Sequence, residues 1–147
     1  MIKNMKEIYG DLFEHPEQYD IIVHGCNCFS TMGAGVGKLI KEKYPYAYLA
    51  DKNSKLSPKD KLGKIVHTTG LTIPIIVNAY TQFQCRGKNN VDYVAIRNCM
   101  KEIKTQFSGK KIVMPKIGAG LAGGNWNTIR KIIEEELVNE DVTIIIK

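Results

Sequence analysis

Apolar positions along this chain follow two rhythms. In Asp20-Ile21-Ile22-Val23-His24, Lys110 to Pro115 and Val142 to Ile146, β-branched and apolar residues stand on consecutive positions, the pattern of strands covered on both faces of a sheet. Ile2 to Tyr9 reads as a further strand, ended by Gly10-Asp11. Elsewhere the spacing is helical. Val36, Leu39 and Ile40 predict a helix from Ala34 to Lys43, which Tyr44-Pro45 interrupts before a second short helix to Lys52. Val94, Ile96, Met100 and Ile103 predict a long helix over Val91 to Phe107, and Ile129, Ile132, Ile133 and Leu137 another over Trp126 to Val138. Gly63 to Thr68 and Ile73 to Ala79 read as a hairpin turning at Thr69-Gly70. Asn53 to Lys61 reads as a surface loop and Thr81 to Asn90 as a second loop, containing Gly87. Strands alternating with helices argue for an α/β layered sandwich, and the hairpin makes its sheet mixed.

Composition narrows the class. A chain of 147 residues with 44% hydrophobic and 24% charged residues has the balance of a folded globular domain and the length for one full core. No apolar run reaches the roughly 18 to 20 residues of a membrane span, and the first ten residues carry no signal-peptide core. The expected place is therefore the cytoplasm, with no membrane partner. Four cysteines are too few for a disulfide framework. The net charge of +6 points to an anionic partner.

The glycines are more specific. Eight of thirteen fall in two windows, Gly25 to Gly37 and Gly118 to Gly124, each after an apolar strand and before a helix. That is the carboxyl edge of an α/β sheet, where ligands bind. Glycine lets backbone approach phosphate oxygens, and a helix N-terminus supplies free N–H groups. A P-loop is excluded, because Gly37-Lys38 would require glycine at Met32 and Ser or Thr at Leu39. Gly118-Ala119-Gly120-Leu121-Ala122-Gly123 formally matches GxGxxG. The acidic residue a dinucleotide fold needs at the end of the next strand is missing, since that strand closes at Ile146.

Gly10-Asp11-Leu12-Phe13, His24-Gly25-Cys26-Asn27-Cys28, Met32-Gly33-Ala34-Gly35-Val36 and Pro115-Lys116-Ile117-Gly118-Ala119-Gly120-Leu121, in this order, resemble the macrodomain family. The likeness is strongest to its small branch of ADP-ribose 1″-phosphate phosphatases, where an HxCNC-type run precedes the first glycine loop and a Trp, here Trp126, follows the second. The resemblance implies a three-layer α/β/α sandwich with a mixed central sheet and a cleft for ADP-ribose or its 1″-phosphate. It implies an enzyme that releases phosphate from the latter without metal or cofactor. Carried over by position, Asp11 accepts from the adenine amino group, with Leu12 backbone beside it, and Asn27 faces the distal ribose. Gly33, Ala34, Gly35 and Val36, with Ile117, Gly118, Ala119, Gly120 and Leu121, wrap the diphosphate and ribose, and Tyr80 lies along the cleft. A related branch removes ADP-ribosyl esters with a lysine and an aspartate. Here Ala122 stands at the aspartate position and no lysine occurs from Asn78 to Tyr80, so that route is not expected. A non-catalytic reader of ADP-ribose or of ADP-ribosylated protein, and an ADP-ribosyl or O-acetyl-ADP-ribose hydrolase, remain the alternatives.

Phosphomonoester hydrolysis rests on positioning and charge stabilisation with a group to move a proton. His24, at the end of a strand, is the candidate nucleophile or general acid/base, with Asn27 as its catalytic companion. Its alternative role is that of a hydrogen-bonded strand residue. Asn125 suits either a water or a helix N-cap. His24, Cys26 and Cys28 alternate and would share a face, yet no fourth zinc ligand is evident nearby. Eight of the 21 basic residues lie between Lys38 and Lys64. Tyr44, Tyr46 and Tyr48 among them do not form one helical face, so a solvated surface is the plainer reading than a nucleic-acid platform.

Overall fold

A computed structural model describes residues 5–69, 74–84, 90–120 and 122–147 of the chain. Six strands form one sheet: β1 (Lys6–Tyr9), β2 (Ile21–Cys26), β3 (Ile65–His67), β4 (Ile75–Tyr80), β5 (Lys111–Pro115) and β6 (Asp141–Ile146), in the order β1-β6-β5-β2-β4-β3. Every pairing is parallel except β3 with β4. The expected hairpin therefore makes the sheet mixed; its turn, with Ile73, lies outside the described residues. So do Ile2 to Asn4 of the first expected strand and residues 85–89 of the loop before the long helix.

Consecutive apolar residues on the inner strands feed two cores, one on each face. Ile21, Val23, Val77, Ala79, Ile112, Met114, Val142 and Ile144 pack under α4 (Tyr93–Phe107) and α5 (Trp126–Glu136). Ile22, Ile76, Val113 and Ile145 pack with Leu12, Ile40 and Ala47 on the side of α1 (Gly35–Lys43) and α2 (Pro45–Lys52). This is the three-layer α/β/α sandwich the sequence led us to expect.

Two local readings change. Val94 is 69% exposed; the buried stripe of α4 is Ala95, Ile96, Cys99, Met100, Ile103 and Phe107, in phase with the helical period once Val94 is dropped. Within the expected surface loop, Pro58–Lys61 forms a short helix, α3, capped by the Ser57 side chain accepting from the Asp60 N–H. Its last residue, Lys61, is buried, so one of the expected solvated lysines is inside the protein. Among the described residues no helix is long and apolar enough to cross a membrane.

Candidate functional site

The parallel strands β2 and β5 are neighbours, so the loops that leave their carboxyl ends rise side by side. Between them lies a cleft of about 560 Å³. One wall is Asn27, Thr31, Met32 and the backbone from Gly33 to Gly37; the other is Pro115 to Gly118, Gly120 and Ala122. Both glycine windows thus meet at one site, on opposite sides.

The two walls are built differently. Ala34 is the N-cap of α1, and no side chain among the described residues caps it. The first N–H groups of that helix therefore keep their hydrogen-bonding capacity, next to the positive end of the helix dipole. No acidic residue stands in its first turn to compete for them. The second loop precedes a helix that is already capped: the Asn125 side chain accepts from the Thr128 N–H at 3.2 Å. Capping is thus the role Asn125 holds, and this wall offers loop backbone rather than a helix end. Its shape depends on glycine. Gly118 has φ +74°, and a Cβ on Gly124 would stand 2.6 Å from the Gly118 carbonyl oxygen and 2.8 Å from side-chain carbons of Val91 and Ile129. The Gly124 N–H donates to that same oxygen at 2.7 Å, so only glycine permits the close approach.

In the first wall, Asn27 folds the loop around itself. Its Nδ2 donates to Thr31 Oγ1 at 2.8 Å, and its Oδ1 accepts from the Phe29 N–H at 2.8 Å. Ser30 (φ +57°) and Met32 (φ +41°) hold left-handed backbone, which costs a residue with a Cβ roughly 1–2 kcal/mol.

Of the residues expected at the site, Asn27, Gly33, Ala34, Gly35, Val36, Ile117, Gly118 and Gly120 line the cleft. Asp11, Leu12 and Ala119 are not among its lining residues, and Leu121 lies outside the described residues. Asp11 stands at the same sheet edge, after β1. Its carboxylate accepts from the Phe13 N–H at 2.9 Å, and that bond, ahead of the charge of Lys147, holds its pKa below the usual value.

His24 and Tyr80 require correction. His24 is 1% exposed and does not line the cleft. It faces α2, on the same side of β2 as Ile22, and lies beside Asn78 of the adjoining strand. Asn78 Nδ2 donates to the Ala47 carbonyl at 2.9 Å, leaving Asn78 Oδ1 as an acceptor for His24 Nε2–H at 2.6 Å. Burial pushes the imidazole pKa down to about 4, against the raising effects of Asn78 and of the Asp51 charge. A buried ring that faces α2 and shares its Nε2 with Asn78 does not reach the cleft, so in this arrangement it does not touch a ligand bound there. Tyr80 is fully buried, and its hydroxyl donates to Asp51 Oδ1 at 2.6 Å. Cys26, Cys28 and Cys99 are free and buried. Burial raises each thiol, that of Cys28 to about 11, so all three stay protonated. Among the described residues no three His, Cys, Asp or Glu side chains cluster as a metal site.

Sequence reasoning missed Asp51. It lines the cleft yet is 1% exposed, at the end of α2. Its Oδ1 accepts from Lys61 Nζ at 2.9 Å, Ser30 Oγ at 3.0 Å and the Tyr80 hydroxyl. Its Oδ2 has no hydrogen-bond partner among the described residues. The available signal was the i, i+4 relation to the buried Ala47, which an apolar pattern search does not reward.

A three-layer sandwich with a ligand-sized cleft between two glycine loops, at the carboxyl edge of its sheet, defines the class of open α/β proteins that bind ligands at that edge. Comparison with protein-family models matches residues 23–133 to the Macro domain, and the chain belongs to that family. An uncharacterized 17.5 kDa protein of Enterobacteria phage T4 is 34% identical across 96% of this chain and 95% of its own length. A protein of Meyerozyma guilliermondii named ADP-ribose 1″-phosphate phosphatase is 26% identical over 98% of this chain and all of its own length. In structure, Thermosipho africanus DarTG in complex with ADP-ribose superposes with a TM-score of 0.78 at 18% identity, over 97% of this chain and 42% of that one.

Proposed function

We propose that the cleft binds ADP-ribose derivatives and that the protein hydrolyses ADP-ribose 1″-phosphate to ADP-ribose and inorganic phosphate. The observation that carries this reading is the pairing of an uncapped helix N-terminus at Gly33 to Gly37 with the backbone of Ile117, Gly118 and Gly120 across one cleft. A diphosphate suits such walls, because backbone N–H groups neutralise it without requiring lysines. The whole-length likeness to a relative bearing the phosphatase name supports the choice of substrate.

In this reading the diphosphate lies between the loops, the adenine extends toward Asp11 and Leu12, and Asn27 faces the distal ribose. Hydrolysis adds water to phosphorus and breaks the bond from phosphorus to the ribose oxygen, which takes up a proton from the water. The residues of the cleft orient the phosphate and offset charge that develops on its oxygens. Asn27 has one amide hydrogen and one lone pair beyond those used in its own loop, and it is the catalytic residue of the reading. Lys116, exposed on the rim, adds positive charge.

The test is a parallel assay of ADP-ribose 1″-phosphate and an ADP-ribosylated protein with one preparation. Release of inorganic phosphate, lost in Asn27→Ala, supports the phosphatase. Consumption of the modified protein alone replaces it with an ADP-ribosyl hydrolase, and tight ADP-ribose binding without turnover leaves a reader.

A further inference from the structure

The loop of the first wall holds two non-glycine residues, Ser30 and Met32, in left-handed backbone. Something must over-determine that conformation. Ser30, the first of the two, is fixed by its side chain: Lys61 Nζ donates to Ser30 Oγ at 2.7 Å, and the same hydroxyl donates to Asp51 Oδ1 at 3.0 Å. The remaining protons of Lys61 go to Asp51 Oδ1 at 2.9 Å and to the Asp51 backbone carbonyl at 3.2 Å. With three donations made inside the protein, the ammonium is not available to a phosphate. A buried ion pair of this kind is weak grounds for net stability, and its best-attested use is to specify one conformation.

We propose that Asp51 and Lys61 are positioning residues. Through Ser30 they hold the loop from Asn27 to Met32 in the shape that presents Asn27 and the Gly33 to Gly37 amides to the ligand. The pair stands on α2 and α3, so two helices outside the glycine loops set the geometry of one wall. Met32, the second left-handed residue, is locked in turn by packing with Cys26, Cys28 and Tyr80, and the Tyr80 hydroxyl is bonded to the same carboxylate oxygen. As it concerns ligand affinity, this inference rests on the reading of the cleft given above.

Ser30 separates this role from plain stability, because replacing it cuts the link without unpairing the buried charges. In Ser30→Ala the clamp is gone while the left-handed backbone keeps its cost, and ADP-ribose affinity measured by calorimetry is expected to fall roughly 10-fold. The urea midpoint falls less than in Lys61→Met, because the ion pair stays intact. Ser30→Gly also lacks the hydroxyl but tolerates φ +57°, so its affinity is expected to lie between Ser30→Ala and wild type. Amide exchange at Phe29 to Met32, read without ligand, is expected to quicken in Ser30→Ala. Wild-type exchange in Ser30→Ala, or wild-type affinity in a folded Ser30→Ala, overturns the proposal. If wild type binds no ADP-ribose, the reading of the cleft fails, while the exchange measurement still decides whether the pair orders the loop.

Discussion

Lys61→Met is the substitution whose outcome the structure fixes most tightly. The side chains of Lys61 and Asp51 are 5% and 1% exposed, so the carboxylate left behind recovers little of its hydration. It retains donations from Tyr80 and Ser30, but no compensating cation lies in contact with it among the described residues. Breaking a buried pair by removing one partner costs about 3–5 kcal/mol, against a total stability on the order of 5–15 kcal/mol for a folded domain. Urea unfolding followed by the fluorescence of Trp126, the only tryptophan of the chain, reads the loss directly. In a protein of this size it also lowers Tm by about 10 °C. Adding Asp51→Asn to Lys61→Met removes the stranded charge while its amide oxygen still accepts from Tyr80 and Ser30, and is expected to restore at least half of the lost stability. A single variant that loses less than about 1 kcal/mol, or a double variant no better than the single, would refute the argument that burial makes this carboxylate depend on Lys61.

Three further outcomes follow from other parts of the molecule. His24 is held near pKa 4 in the folded state against about 6.5 when unfolded. The unfolded chain therefore binds the extra proton first, and stability falls as pH drops from about 6.5 to about 4, by up to roughly 3 kcal/mol; wild type and His24→Gln should diverge across that window, and parallel curves would contradict it. Gly124→Ala forces its new Cβ against the Gly118 carbonyl oxygen and should cost about 1–3 kcal/mol in chemical denaturation, whereas Gly120→Ala, with open space around its Cβ, should leave stability nearly unchanged. The Asp92 side chain caps α4 by accepting from the Ala95 N–H at 3.0 Å, so Asp92→Ala should lower stability by about 0.5–2 kcal/mol in the same assay.

The layers were legible because parallel strands buried on both faces show themselves as unbroken apolar runs: Ile21 to Val23 sends alternate residues into different cores. The glycine loops were legible because turn and close-approach chemistry is local. Side-chain direction at the end of β2 was not. His24 follows Val23 by one position, and the choice between the cleft and the underside of α2 depends on where helices lie that a one-dimensional pattern does not locate. Asp51 and Lys61 were missed for a related reason. Each is charged, each stands among solvated neighbours, and only the approach of α3 to the end of α2 makes them a buried pair. Val94 misled because a β-branched residue near a helix start matches the apolar spacing while remaining exposed.

The strand order also decides which pairings must close over long stretches of chain. Among the described residues β1 pairs only with β6, Lys6 beside Thr143, so a contact at one edge of the sheet spans nearly the entire chain. Such non-local parallel pairing must meet its loop-closure entropy before any hydrogen bond forms, and it places the protein among slowly folding topologies. Among the six strands β1 comes first along the chain and its partner β6 last. Without β6 the β5 edge would stand open, and an open strand edge is the part of a sheet most exposed to mispairing with another copy.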